Sequence, residues 1–457
     1  MPSLLRKPRT IIWFVRSFIA KKKKFIFFGF IFSLLVCLYW YSGFFLSVRG
    51  IFIPENSVGI VGKYNLTNLP LLVQNKISIG LTKITSDDRA TSSAAISWEI
   101  SDEGKTYIFK LDPNLKWHDN AKFKSFDVNY RLKGVEIIAL GDLAIQLKLK
   151  EPFASLPYIL SQPLFKNKLI GLGSYRVVDI RWNGDTISSI DLINTKNSSD
   201  RIIYKFYLTE NEAFTALRLK KISRIEGITN INNIKRVSDF NITSLSNYYS
   251  FVALFFNTAK EPFSDKQTRL GLTYAIPNEI LTGQEETQGP IPKTSWFYNS
   301  NLKEYSINID QTKKYLKNIL EKKENESTLS SELQISLETL SLYKPMAEMI
   351  AKAWNDLGIK TKIIEKNVVS NNYDVFLGAL ETKSDPDQYY LWHSTQTNGS
   401  NISNLKNPRI DKILEDGRKI IDQEERKAKY QEFQKFLVEE LPAVFFFYQK
   451  TYSVTRL

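Results

Sequence analysis

The sequence predicts an α/β body held outside a membrane by one N-terminal helix. Three observations lead there: a 23-residue uncharged apolar run behind a basic cluster, period-two alternation in the first half of the chain beyond that run, and helical periodicity in the second half. With 457 residues, 43% hydrophobic and 24% charged, the chain can hold two or three packed cores, and its composition is that of a globular protein rather than a disordered or many-spanning one. One Cys and two His exclude an intrachain disulfide framework and leave too few ligands for a Cys/His zinc site.

The net charge of +14 is concentrated at the start. Arg6, Lys7, Arg9, Arg16 and Lys21 through Lys24 have no acid among them, and the remaining 433 residues carry only +6, so the charge is no signature of a nucleic-acid partner. Phe25–Ser47 (FIFFGFIFSLLVCLYWYSGFFLS) meets the requirement of about 20 apolar residues for crossing the hydrocarbon core. Tyr39, Trp40 and Tyr41 suit an interfacial belt, and Lys21–Lys24 set the N-terminus in the cytoplasm and everything after residue 50 outside. No A-x-A pattern closes the run, and Val36 rather than a small residue precedes Cys37. An uncleaved anchor is therefore expected over a cleaved or lipidated signal, with Cys37 a small apolar residue of the helix.

Strands come first in the exported part. Tyr107, Phe109 and Leu111 share one face of Thr106–Leu111, and Ala144–Leu149 repeats the period. Tyr175–Ile180 and Ile187–Ile193 form a hairpin with Asn183-Gly184 at its turn. Helices come next. Met346, Met349, Ile350, Ala353, Trp354 and Leu357 make one face, with Gly358 as C-cap. Ile410, Ile413, Leu414, Gly417, Ile420 and Ile421 make a second, and Tyr430, Phe433, Phe436, Leu437 and Leu441 a third that Pro442 stops. Val444–Tyr448 closes the chain as an apolar strand, and the mixture of strands, helices and βα units implies the α/β class.

Groups for catalysis are scarce. His118, in a turn after a strand, and His393, beside Trp392, read as hydrogen-bonded structural histidines. No GxSxG, HExxH, P-loop or GxGxxG occurs, and Gly171-Leu172-Gly173-Ser174 lacks the third glycine and following helix of a dinucleotide site. Asp385 and Asp387 form a carboxylate pair of a kind any chain with 48 acids contains. No enzyme activity, cofactor or metal site is expected.

A series of short motifs in fixed order carries a resemblance. Ser97-Trp98-Glu99-Ile100-Ser101-Asp102-Glu103-Gly104 with Thr106–Leu111, Trp117-His118-Asp119, Phe126-Asp127-Val128 and Gly171-Leu172-Gly173-Ser174-Tyr175 open it. Phe256-Asn257-Thr258, Pro262-Phe263 and Arg269–Ala275 continue, then Ala353–Ile359, Tyr373–Phe376, Asp385-Pro386-Asp387-Gln388-Tyr389-Tyr390, Pro408–Asp411 and Leu441–Phe447. Spread over most of residues 97–450, they resemble the family-5 solute-binding proteins of ABC importers, the peptide/nickel-binding group. The sequence departs from that pattern at Asn120, where the family usually has Gly, at Ser174, where it has Pro, and at Thr382, where its peptide binders carry an acid that clamps the ligand amino group; Glu381 is one position off. The short region before Trp98 suggests a reduced extra subdomain.

The resemblance implies a two-lobed periplasmic-binding-protein-like fold of type II, peptide-binding class, closing over a ligand by hinge motion. Residues 1–24 are then a basic cytoplasmic tail, 25–47 the transmembrane anchor, 52–247 with 442–457 lobe one and 248–441 lobe two, with crossings near Tyr248–Phe256 and Ala443–Tyr448. Cleft candidates are Gly171, Gly173 and Tyr175 in lobe one, Tyr248, Tyr249 and Asn257 near the crossing, and Glu381, Asp385 and Trp392 in lobe two. The glycines read equally as turn makers, the tyrosines as hinge packing, Asp385 as a helix cap and Trp392 as core. The expected partners are a peptide or other small solute, the permease subunits of an ABC importer and the membrane, with the receptor acting as a monomer. A two-lobed anchored scaffold that has lost its pocket is the alternative.

Overall fold

The computed structural model describes residues 56–456 apart from 232–239, 326–333, 370–371 and 398, together with scattered positions between 13 and 37. Most of the expected anchor Phe25–Ser47 lies outside the described residues, and among those described no helix is long and apolar enough to cross a membrane.

Lobe one opens with β1 (Ser57–Val61), α1 (Leu71–Ile77) and the hairpin of β2 (Thr82–Ile84) and β3 (Ala90–Ser92), whose turn carries Asp87, Asp88 and Arg89. β4 (Ala95–Ser101), β5 (Thr106–Leu111), β6 (Val135–Ala139) and β7 (Ala144–Leu149) form a separate antiparallel sheet in the order β4-β5-β7-β6. The two strands expected there, Thr106–Leu111 and Ala144–Leu149, are present to the residue. Tyr107, Phe109 and Leu111 pack with Leu147, Trp117 and Phe123, the two-residue period turning one face to a core. α2 (Leu156–Ile159) precedes the hairpin β8 (Tyr175–Asn183) and β9 (Thr186–Asn194), where Gly184 takes φ +60 in the turn. β10 (Arg201–Tyr207), α3 (Glu210–Arg218) and β11 (Arg224–Ile228) complete the lobe.

β12 (Phe240–Phe256) leads into lobe two, built from α4 (Lys266–Tyr274), α5 (Ile309–Asn325), β13 (Gln334–Leu340), α6 (Lys344–Asp356), β14 (Lys360–Lys366), β15 (Val375–Glu381), α7 (Tyr389–Trp392), α8 (Pro408–Gly417) and α9 (Gln423–Glu440). β16 (Ala443–Arg456) returns to lobe one. One ten-stranded sheet runs through both lobes in the order β14-β13-β15-β12-β16-β11-β1-β10-β9-β8. Its spine is the antiparallel pair β12–β16, registered from Phe240↔Arg456 to Phe255↔Ala443. The register slips between Asn247 and Phe251, so Tyr248, Tyr249 and Ser250 fall out of the pairing where the sheet passes from one lobe to the other. Such a bulge bends and twists a strand.

Lobe two has helices on both faces of the sheet, so its central strands are apolar throughout rather than alternating. Val252, Leu254 and Phe256 of β12 pack with Leu272, Ala347, Ile350 and Trp354 on one side. Phe251, Ala253 and Phe255 pack with Trp392, Leu414, Tyr430 and Phe433 on the other. Asn407 caps α8 by accepting from the Arg409 and Ile410 amides, and Asp422 caps α9 by accepting from Glu425. Leu441 closes α9 at φ +60, directly before Pro442. The second helical face ends sooner than its periodicity suggests. α8 stops at Gly417, whose missing Cβ would press on the Tyr430 ring at 3.0 Å, and Ile421 instead reaches lobe one, where a Cβ on Gly104 would meet it at 2.8 Å.

Candidate functional site

The two lobes meet along a polar seam. From lobe two, the Arg426 guanidinium on the first turns of α9 donates to Asp385 Oδ1 and Oδ2 at 3.0 and 3.1 Å, and to Ser155 Oγ of lobe one at 3.0 Å. Ser155 Oγ donates to Asp385 in turn at 2.9 Å. Arg418 lies 2.9 Å from Asp387, stacks over Phe153 of lobe one at 5.1 Å, and its carbonyl accepts the Ala154 amide at 2.8 Å. Arg89 of lobe one pairs with Asp87 at 3.0 Å, reaches Gln423 at 3.1 Å and stacks on Trp296 at 4.1 Å. The Trp296 amide donates to the Asp87 carbonyl at 3.1 Å. Burial strengthens the Arg426–Asp385 pair, 5% and 9% exposed, because water screens it less, whereas the Arg89–Asp87 pair is open to solvent.

Asp88 is the exception. Its backbone sits at φ +67 in the β2–β3 turn, and its side chain is 0% exposed. Tyr249 donates to Oδ1, and Tyr158 Oη donates to the backbone carbonyl at 2.9 Å. The Ser295 hydroxyl lies beside the carboxyl as a second donor, so Asp88 is met by two hydroxyls and, among the described residues, by no cation. Burial raises the Asp88 carboxyl above the usual carboxylate range, against the donated bond from Tyr249. Asp387 is raised for the same reason, while burial pushes the Tyr158 hydroxyl up to about 12. Trp296 Nε1 is buried beside the Tyr158 hydroxyl, and Tyr430 Oη beside the Arg426 guanidinium. A cavity of about 80 Å³ lies within the seam, lined among others by Arg89, Tyr158, Trp296 and Arg426.

Of the residues singled out from sequence, Tyr249 and Asp385 come together at this seam. Tyr248 sits in the same bulge, where its hydroxyl donates to Glu285 at 2.9 Å. Glu381 ends β15 opposite Ser250 at the exposed rim, and the neighbouring Thr382 amide donates to the Tyr249 carbonyl at 2.7 Å. Asn257 and Trp392 lie inside lobe two: Asn257 Nδ2 donates to the Tyr373 carbonyl at 2.8 Å and Trp392 Nε1 to Gln388 at 2.9 Å. Gly171 and Gly173 sit against the end of α1. The Gly173 amide donates to the Ile77 carbonyl, and a Cβ on Gly171 would collide with that same carbonyl. His118 takes up the rest, its amide and Nε2 donating to the Gly171 and Gly173 carbonyls at 3.0 and 2.9 Å while Nδ1 accepts the Gly171 amide at 3.3 Å. Tyr175 donates to Asp200 at 2.6 Å. His393 has the structural place expected of it, stacked on Tyr389 at 3.9 Å with its Nδ1 beside Thr395.

Asp88, Ser155, Trp296 and Arg426 were not singled out. For Arg426 a signal exists: four residues before Tyr430, it is a cation on the apolar face of its helix, and a cation there needs a buried anion. Asp88 reads as one polar residue in the turn Thr85–Arg89, and nothing local marks it as buried.

Comparison with known proteins agrees with this geometry. The model of the bacterial extracellular solute-binding proteins, family 5 (middle region), matches residues 129–401. The chain is 22% identical to the dipeptide-binding protein of Escherichia coli K12 over 479 aligned positions, 86% of either chain. Among solved structures it is similar to CtaP, an ABC transporter substrate-binding protein of Listeria monocytogenes, with a TM-score of 0.72 at 17% identity over 88% of this chain and 93% of that one. NikZ of Campylobacter jejuni, solved with Ni(L-His), gives 0.71 at 21% identity over 88% and 94%. These neighbours share the two-lobed α/β fold. The chain belongs to the family-5 bacterial extracellular solute-binding proteins.

Proposed function

We propose that the chain is the membrane-anchored, extracytoplasmic receptor of an ABC importer. It works as a monomer, takes a peptide or similar small solute between its lobes, and hands it to the permease without making or breaking a bond. The observation that carries this reading is the polar seam between the lobes, where the buried acids Asp88 and Asp385 stand with Arg426 beside a cavity lined among others by Arg89, Tyr158 and Trp296. In a seam that opens, these groups come into reach of a polar solute, and the bulge at Tyr248–Ser250 gives the connecting sheet a place to bend. The residues Phe25–Ser47 supply the tether, with the N-terminus in the cytoplasm, and tethering raises the receptor's concentration beside its permease without any added contact.

Native mass spectrometry of the full chain, purified in detergent without denaturant, tests this. A small solute of defined mass should accompany the protein and be lost on unfolding. Bare protein, with no thermal shift from a mixed peptide library, would favour the scaffold reading. One observation speaks for that second reading: the seam is latched by Arg426, Asp385 and Ser155 and encloses only about 80 Å³.

A further inference from the structure

The small sheet of lobe one is covered unevenly. On β6, its edge strand, the two-residue period puts Val135 and Ile137 on the inner face, where they are only partly buried against the core of Tyr107, Phe109 and Leu147. The irregular chain 128–134 crosses that face and leaves a cavity of about 720 Å³, lined among others by Phe126, Leu132, Val135 and Ile137 with Arg131 and Lys133. No acid lines it, and neither cation is paired with one among the described residues. The tip beside the cavity is apolar as well. Phe126, Leu140 and Leu143 are 67%, 44% and 43% exposed, and Ser125 draws them together, its amide donating to the Asp142 carbonyl at 2.9 Å. Lys124 stands over the Phe126 ring at 5.5 Å and pairs with Asp142 at 2.9 Å, which neutralises that acid. Asp127 is spent internally, accepting the Trp117 indole N–H at 3.0 Å. A contiguous apolar surface rimmed by cations marks contact with something both apolar and anionic.

We propose that this end of lobe one rests on the membrane, with Phe126, Leu140 and Leu143 entering the headgroup boundary, an acyl chain against Val135 and Ile137, and Arg131 and Lys133 on the phosphates of anionic lipids. A lipid surface fits both halves of the patch. Exposed apolar side chains gain from the acyl boundary, and each cation adds a factor of about five in affinity beside an anionic surface. The chain length permits the contact: residues 48–56 separate the apolar run from β1 and reach no further than about 30 Å. This rests on the anchor reading above, since tethering makes even a weak contact sufficient. Because every contact comes from lobe one, lobe two stays free to open and close while the receptor lies on the bilayer.

The test places the full-length chain in nanodiscs of phosphatidylcholine alone and of phosphatidylcholine with phosphatidylglycerol, and follows hydrogen exchange. Amides of residues 125–139 should exchange about tenfold or more slowly in the anionic discs than in the neutral ones. Arg131→Glu with Lys133→Glu reverses two exposed charges, which the fold tolerates, and should abolish the difference. Phe126→Ser, also at an exposed side chain, is the second variant and should weaken the slowing on its own. Slowing that is equal in both discs, or that the charge reversal leaves intact, overturns the proposal. Slowing that grows with protein concentration in neutral discs overturns it too and gives the patch to a second copy of the chain. Anchoring is read separately, from elution of the chain with the discs. Co-elution without slowing overturns the proposal and leaves the anchor reading standing, whereas a full-length chain that elutes apart from both kinds of disc overturns both.

Discussion

Arg426 holds Asp385 by both carboxylate oxygens, at 3.0 and 3.1 Å, with the two side chains 5% and 9% exposed. The pair sits where α9 of lobe two meets Ser155 of lobe one, so it serves both the packing of one lobe and the closure of the two. Replacing Arg426 with Met strands a buried carboxylate. The expected cost is about 3–5 kcal/mol in chemical unfolding. Adding Asp385→Leu to Arg426→Met removes the stranded charge, and the double variant should recover most of that loss. Equal stability of the single and double variants would contradict this account.

Asp88 makes the opposite prediction. Its carboxyl is raised in the folded protein, so between the ordinary carboxylate value and the raised one the folded state holds the proton more tightly. Stability therefore declines as pH rises through that window and stays lower above it. Asp88→Asn abolishes the decline. At pH 7 its melting temperature should exceed wild type by about 2–4 °C, the shift expected for roughly 1 kcal/mol in a domain of this size. The gain should shrink on acidification towards the ordinary carboxylate range. A melting curve unchanged at pH 7 would argue that Asp88 already has a compensating partner.

His118 should confer acid sensitivity of the usual sign. Burial lowers its pKa, and its Nδ1 accepts a backbone amide that a protonated ring cannot satisfy. The folded state then binds the proton less well than the unfolded state, and stability falls as pH drops below the ordinary imidazole range. His118→Phe should lose about 1–3 kcal/mol at pH 7, from unpaired groups of Gly171 and Gly173, and show a flatter profile between pH 7 and 5. Hydrogen exchange at the Gly171 amide would report the same contact directly.

The anchor is tested by fractionation. The full-length protein should remain with the membrane pellet at high salt and appear at full length in detergent extract, because an apolar helix, unlike a charged surface, is not released by salt. A shortened form in the soluble fraction would mean cleavage instead.

Legibility followed the range of the interactions. The β5, β7, β8 and β9 strands and the face of α9 could be read because alternation and helical periodicity are local patterns that a single buried face imposes, while on α6 the expected Met349 is exposed and the buried face is Ala347, Ile350, Ala351 and Trp354. The crossing near Tyr248–Phe256 came from the family resemblance alone; its run FVALFF does not alternate because both its faces are covered. The end of α8 was misjudged because Ile420 and Ile421 keep the helical spacing while Gly417 and the cap at Asp422 break the helix.

The local periodicities settle the α/β class by themselves, and the order of short motifs along the chain carries the family likeness. They direct attention to Asp385 and Tyr249. Which acid is left without a cation was decided only by folding. Asp87 has its cation two residues away in the same turn, but Asp88 and Asp387 are alike as residues, and the difference between them is that folding brings Arg418 to Asp387 and no cation to Asp88 among the described residues. Charge balance in a buried space is a sum over everything that surrounds it, and no stretch of sequence contains that sum.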